Sequence, residues 1–377
     1  MKITKNRILE HEHNRIISID ILRAIVMILM VLDHTRGFWN GGTGINPTDL
    51  LNTYPALFFT RWITHFCAPI FVILTGMSAY ISKKNNSKSN KLCFSLLFRR
   101  GLLLILLELT VVSIIWGGTV LQVIWVIGVS MIILSILQFF PSRLVGLLGL
   151  LVITFHNLIP EFNSSDIFSN LILSILHQSN IIRISSQNEI RVLYPLIPWI
   201  GVMALGYSLG EIYYWEKSSR GKFLITTGSI FIVLFMILRL FNIYGNPVPF
   251  QVQESFAFTI ISFLNLEKYP PSFLFLLMTI GPMFLMLSFL ERFNPQKNNP
   301  LLIFGRTPLF FYIVHLYLIL FISATFRDIL GYNTILFSFS LIFTYIVWAM
   351  MIVILYPICK YYYKLKFILK LRWTKYL

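Results

Sequence analysis

Three side chains in Met30-Val-Leu-Asp-His-Thr-Arg36 can move or hold charge, and they close an apolar run that begins near Ile16. Asp33, His34 and Arg36 stand where a bilayer-spanning helix would be leaving lipid. Ionisable groups at that depth need partners, water or a function to offset their insertion cost. A histidine titrates near neutrality. Beside a carboxylate it can take a proton from a hydroxyl or amine, or can itself be acylated. Read as a helix, the run gathers more such groups on one face. From Arg23 to His34 is eleven residues, about 1100°, which returns to within ~20° of the same direction. Asp20 lies on that stripe and can pair with Arg23 one turn on, whereas Asp33 lies ~100° around the helix from it. Arg23 and His34 are then ~16 Å apart along the axis.

A second pair follows in Arg61-Trp-Ile-Thr-His65, whose i, i+4 spacing puts Arg61 and His65 on one face. Pro69 comes one turn later and frees a backbone carbonyl, an irregularity tolerated where a helix lines a protein cavity. His34, with Asp33 or another nearby acid to orient it, and His65 are the candidate catalytic groups. Arg23 and Arg61 are the candidate binding groups, with a structural ion pair or interfacial snorkelling as the other reading of Asp20–Arg23. Glu108, His156, His177, Arg239 and His315 also fall in or near apolar runs, and their roles stay open between structure and chemistry. For Glu108 the choice is between a buried arginine partner and a substrate contact; for His315 it is between an interhelical hydrogen bond and chemistry. The sequence has no HExxH, P-loop, GxSxG or Cys/His metal spacing, which removes support for metal hydrolysis, ATP-driven transport and serine-type acyl transfer.

These residues must be held by membrane helices. The chain has 377 residues, 56% of them hydrophobic and 12% charged, with a mean hydropathy of +0.75, more apolar surface than a soluble core absorbs. The expectation is an all-α, polytopic membrane protein, one domain over 1–377. About ten spans fall near 16–39, 56–81, 92–116, 119–140, 143–160, 193–214, 222–243, 271–290, 301–326 and 332–357. With both termini cytoplasmic, 23 of the 31 Lys and Arg lie on the inner side, so the net charge of +16 reads as a topology signal and not as a nucleic-acid footprint. The active cavity is then expected in the extracytoplasmic half. Cys67, Cys93 and Cys359 form neither a disulfide framework nor a zinc pattern, and no cleavable signal peptide is expected. Gly206-Tyr-Ser-Leu-Gly210 offers a small-xxx-small packing face, and Tyr194-Pro-Leu-Ile-Pro-Trp199 an interfacial helix start.

Arg15-Ile-Ile-Ser-Ile-Asp-Ile-Leu-Arg-Ala24, followed by Met30-Val-Leu-Asp-His34, resembles the opening of the heparan-alpha-glucosaminide N-acetyltransferase catalytic domain and its bacterial relatives. Those proteins belong to a wider group of transmembrane acyltransferases. Arg61–Phe71, Tyr194–Tyr207 and Arg239–Pro249 are similar to later blocks, so the resemblance is strongest over 15–250. Pro308–His315 resembles a late-helix motif of related acyltransferases. In the acyltransferase-3 branch an Arg-x10-His pattern marks the first helix, and Arg23 and His34 have that spacing. The resemblance implies acetyl-CoA or another acyl-CoA as co-substrate, entering from the cytoplasm, no metal, and an extracytoplasmic sugar, glycan or small-molecule acceptor. Under it His34 is a general base or transient acyl carrier, Arg23 helps hold the donor, and Arg61 with His65 stabilises the oxyanion or positions the acceptor. Ala24 replaces the usual glycine. No histidine lies between His34 and His65, so the catalytic histidine of the lysosomal enzyme, in the loop after its first helix, has no counterpart here. The rival readings are a transporter or flippase using the same residues as a proton relay or substrate site, and a non-enzymatic membrane-assembly or sensor protein. Whether the chain forms a homo-oligomer stays open.

Overall fold

The computed structural model describes residues 15–85, 87–160, 162, 164, 166–185, 188–293, 295, 299–331 and 337–368, and they are mostly helical. His11, His13, Lys297 and the last three basic residues of the tail lie outside the described residues. The helices are α1 (Ile17–Trp39), α2 (Pro55–Thr64), α3 (Cys67–Asn85), α4 (Asn90–Leu107), α5 (Val123–Leu137), α6 (Ser142–Phe155), α7 (Ile167–Leu176) and α8 (Leu196–Leu209). After them come α9 (Lys217–Leu240), α10 (Phe256–Leu264), α11 (Phe273–Leu290), α12 (Pro300–Gly305), α13 (Pro308–Leu330) and α14 (Leu341–Ile368).

Among the described residues, six helices are long and apolar enough to cross a membrane: Pro55–Asn85, Leu196–Tyr214, Lys217–Leu240, Phe273–Leu290, Pro308–Leu330 and Leu341–Lys366. They mark an integral membrane protein. The expected span at 16–39 is helical throughout as α1, but its four acidic and basic residues set it apart from these six. The expected spans at 119–140 and 143–160 contain the shorter apolar helices α5 and α6. Two boundaries differ from expectation for identifiable reasons. Thr119–Leu121 forms strand β1, in a three-stranded sheet with β2 (Asn180–Arg183) and β3 (Glu189–Val192). Its order is β1-β3-β2, parallel then antiparallel, and β-branched Thr119, Val120, Ile190 and Val192 favour that pairing over a helix start. The last helix begins at Leu341, nine residues later than expected. Before it, the Phe337 and Phe339 amides bond the Phe38 and Trp39 carbonyls (2.8 and 3.0 Å), satisfying acceptors left open at the end of α1. Their rings stack on Trp39.

The described residues form two compact units. The first takes those of Met1–Cys67, Val252–Leu264 and Met286–Leu377; the second takes Ala68–Gln251 and Asn265–Leu285. In the first, α1 is the central element, packed by α2, α12, α13 and α14. Two prolines break the backbone where the site is built. Pro69 has no N–H for the His65 carbonyl, and the helix is interrupted at His65–Phe66 between α2 and α3. Pro308 pushes Thr307 out of the helical region (φ −127°, ψ 41°), which separates α12 from α13 at Arg306–Thr307.

In the second unit, close helix crossings rest on small residues. Gly206 and Gly210 both lie against α3: a Cβ on Gly206 would meet the Ile73 carbonyl oxygen at 2.4 Å, and one on Gly210 the Tyr80 Cβ at 2.6 Å. The expected small-xxx-small face is therefore a helix-packing seam.

Candidate functional site

All five residues expected to carry chemistry lie in the first unit, and of these Asp33 and Arg61 are joined directly. His34, in the last part of α1, is joined to His315 of α13 by an Nδ1···Nε2 hydrogen bond of 2.8 Å. The two ring planes are within 6° and the centroids 5.0 Å apart, so the rings lie edge to edge with the hydrogen bond along the line between them. His315 is fully buried, and its Nδ1 donates to the Phe311 carbonyl at 2.9 Å. One residue earlier on α1, Asp33 accepts from Arg36 at 3.2 Å and from Arg61 of α2 in a shorter contact. Asp33 thus ties α1 to α2, while His315 is a partner on the His34 ring. Two guanidinium groups on one carboxylate leave a net charge of +1 beside the histidine pair. His65 follows the last turn of α2 and is 2% exposed.

A second cluster forms eleven residues back along α1. Asp20 accepts from Arg23 at 2.9 Å, the i, i+3 pair that the helix stripe predicts. Two further guanidinium groups approach the same carboxylate, Arg15 at 3.4 Å and Arg306 at 3.6 Å. Arg23 also donates to the Gly305 carbonyl (3.1 Å), and Arg306 lies over the Tyr363 ring. The break before Pro308 makes this possible, because it exposes the end of α12 to α1. Gly305 must be glycine here: a Cβ would stand 1.9 Å from the Asp20 carbonyl oxygen. Three arginines on one buried carboxylate leave two positive charges in excess, which suits an anionic ligand carrying more than one charge. Sequence reasoning missed Arg306. Its signal was Arg306-Thr-Pro308, a basic residue at a proline break inside an apolar run.

Four ionisable residues of the second unit, Glu108, Arg239, His156 and His177, meet backbone instead. Glu108 sits in a π-helical turn, Glu108–Val112, and accepts from the Trp125 amide at 3.0 Å in the first turn of α5. Its partner is backbone and not an arginine; it caps a helix whose first amides have no partner of their own. Arg239 donates to the Val248 (2.7 Å) and Asn265 (3.1 Å) carbonyls. His156 donates to the Pro271 carbonyl and His177 to the His156 carbonyl, both at 2.8 Å. These contacts fix loops. Glu108→Ala is accordingly expected to cost about 1–3 kcal/mol by orphaning amides at the start of α5, read as a lower melting temperature in detergent. Turnover per folded molecule should be unchanged, and a loss of turnover at an unchanged melting temperature would place Glu108 in the chemistry.

No group of three or more His, Cys, Asp or Glu side chains able to hold a metal ion occurs among the described residues. Compared with known families, residues 15–242, more than half of the chain, match the one described as heparan-alpha-glucosaminide N-acetyltransferase, catalytic. No curated protein matches the chain.

Proposed function

The chain belongs to the heparan-alpha-glucosaminide N-acetyltransferase catalytic family, and from that premise we propose that it moves an acetyl or other short acyl group from cytoplasmic acyl-CoA to an extracytoplasmic acceptor, a sugar or glycan. Membrane acetyltransferase activity is the general character of that family, and acetyl-CoA its general donor. The observation that carries the finer reading is the pairing on α1 of a hydrogen-bonded histidine at one end with a multi-arginine cluster at the other. The two lie on one stripe, ~16 Å apart along the axis. A pantetheine arm can bridge such a distance, with the donor's phosphates held by Arg23, Arg15 and Arg306 and its thioester beside His34.

The chemistry then assigns each side chain one task. His34 takes the proton from the acceptor hydroxyl or amine as that atom attacks the thioester carbonyl. The carbonyl oxygen becomes an oxyanion, and Arg61, held by Asp33, with His65 beside the end of α2, supplies positive and hydrogen-bonding character for it. The carbon–sulfur bond breaks, and the imidazolium returns its proton to the departing thiolate. Acyl transfer to His34 itself, followed by transfer to the acceptor, uses the same groups in two steps. Purified protein incubated with labelled acetyl-CoA and a pool of sugars tests the reading by mass spectrometry. A product heavier by one acetyl group is expected. Labelled acetyl-CoA that moves across a bilayer unaltered would favour the transporter reading instead.

A further inference from the structure

We propose that His315 is the positioning residue for His34, fixing its tautomer so that the basic lone pair is on Nε2. This deepens the reading of His34 as the base and rests on it. The argument is a proton count. A carbonyl oxygen can only accept, so the 2.9 Å contact of His315 Nδ1 with the Phe311 carbonyl requires a proton on Nδ1. His315 is fully buried, where a neutral ring is favoured over a charged one. A neutral ring protonated on Nδ1 carries a lone pair on Nε2. The 2.8 Å bond to His34 must therefore be a donation from His34 Nδ1–H into His315 Nε2. Neutral His34 is then left with its lone pair on Nε2. The edge-to-edge alignment of the rings supports the assignment, since it aims the N–H along the acceptor's in-plane lone pair.

The consequence for the reaction is specific. When Nε2 takes the acceptor's proton, His34 becomes an imidazolium whose Nδ1–H already rests on a neutral acceptor. The backbone of α13 thereby sets a tautomer on α1, through Phe311 and then His315. A carboxylate would do the same task with a full charge; His315 does it without burying one. No proton leaves His34 Nδ1 in this scheme, so the cycle balances as before: one proton taken at Nε2 and one returned to the thiolate.

The test reads the tautomer directly, without turnover. Full-length protein labelled with 15N-histidine is reconstituted in lipid, and the His34 ring signals are assigned among the seven histidines by difference with His34→Gln. Wild type is expected to show a protonated Nδ1 and a bare Nε2 on His34. His315→Leu keeps bulk but removes the acceptor and should shift His34 toward the Nε2–H tautomer, with kcat down by about 10²- to 10⁴-fold and KM for acetyl-CoA unchanged. His315→Gln places an acceptor near the Nε2 position and should restore both the tautomer and most of kcat. A wild-type His34 protonated on Nε2, or a tautomer unmoved by His315→Leu, overturns the proposal. Equal loss of kcat in the Leu and Gln variants would reduce His315 to packing and overturn it as well. Failure of the underlying reading looks different: His34→Ala would keep full transfer whatever the tautomer.

Discussion

His34→Ala is expected to lower acyl transfer by about 10²- to 10⁴-fold, the range that one positioned general base contributes. Affinity for acyl-CoA should stay as in wild type, because the proposed donor site is the separate cluster of Arg23, Arg15 and Arg306 around Asp20. The fold should also hold. His34 is only partly buried, and α1 is fixed to its neighbours by Asp33–Arg61, by Asp20–Arg306 and by the Phe337 and Phe339 amides. The diagnostic pattern is thus a fall in kcat at constant KM, measured beside donor binding and a melting curve. If the acyl group rests on His34 during turnover, an acid-labile label trapped on wild-type protein will be absent from the variant.

Gly305→Ala is expected to disable the other end of α1. The new Cβ would stand 1.9 Å from the Asp20 carbonyl oxygen and 2.7 Å from its carbonyl carbon, where ordinary contact begins near 3.4 Å. Both obstacles are backbone, so no side-chain rotation relieves the clash and α12 has to withdraw from α1. Withdrawal lengthens the Arg23 bond to the Gly305 carbonyl and draws Arg306 off Asp20. Overpacking of this kind costs about 1–3 kcal/mol in stability. The larger effect should be on the donor. Weakening of acyl-CoA binding by at least 10-fold, equivalent to ~1.4 kcal/mol, is expected, with the chemistry at His34 slowed only through occupancy. Titration of acyl-CoA against the variant reads this directly. Wild-type affinity in a protein of lowered melting temperature would detach the arginine cluster from donor binding.

The parts of this site that were legible in the sequence are those whose partners are near in the chain. Helix geometry alone put Asp20 against Arg23, and Arg23 with His34 on one stripe. Pro69 announced the interruption after His65. Gly206 and Gly210 announced a packing seam by their spacing. The parts that were not legible depend on contacts between distant segments. Nothing near His34 points to His315, 281 positions later, and a lone histidine on an apolar helix reads equally as a packing hydrogen bond or as chemistry. His315 turns out to make the interhelical bond, with the candidate base as its partner. Arg306 reads in the sequence as one more basic residue beside an apolar run, because the bend before Pro308 that carries it to Asp20 is a tertiary feature. Glu108 and Arg239 looked like further site candidates for the opposite reason: burial of an ionisable group is visible in sequence, but a backbone partner is not. Sorting the buried charges by partner separates the two kinds. Those of the second unit discussed here meet carbonyls and amides, whereas in the first Asp20 and Asp33 meet arginines and His34 meets His315.

The central claim is that an acyl group changes covalent partner, and that it does so through His34. Its most direct measurement is made in sealed liposomes, with labelled acetyl-CoA on one side and sugar acceptors on the other. Acylated sugar should accumulate opposite the donor, coenzyme A should stay behind, and both should cease with His34→Ala while bound donor remains. Labelled acetyl-CoA crossing unchanged, or acylation that continues without His34, would contradict the account.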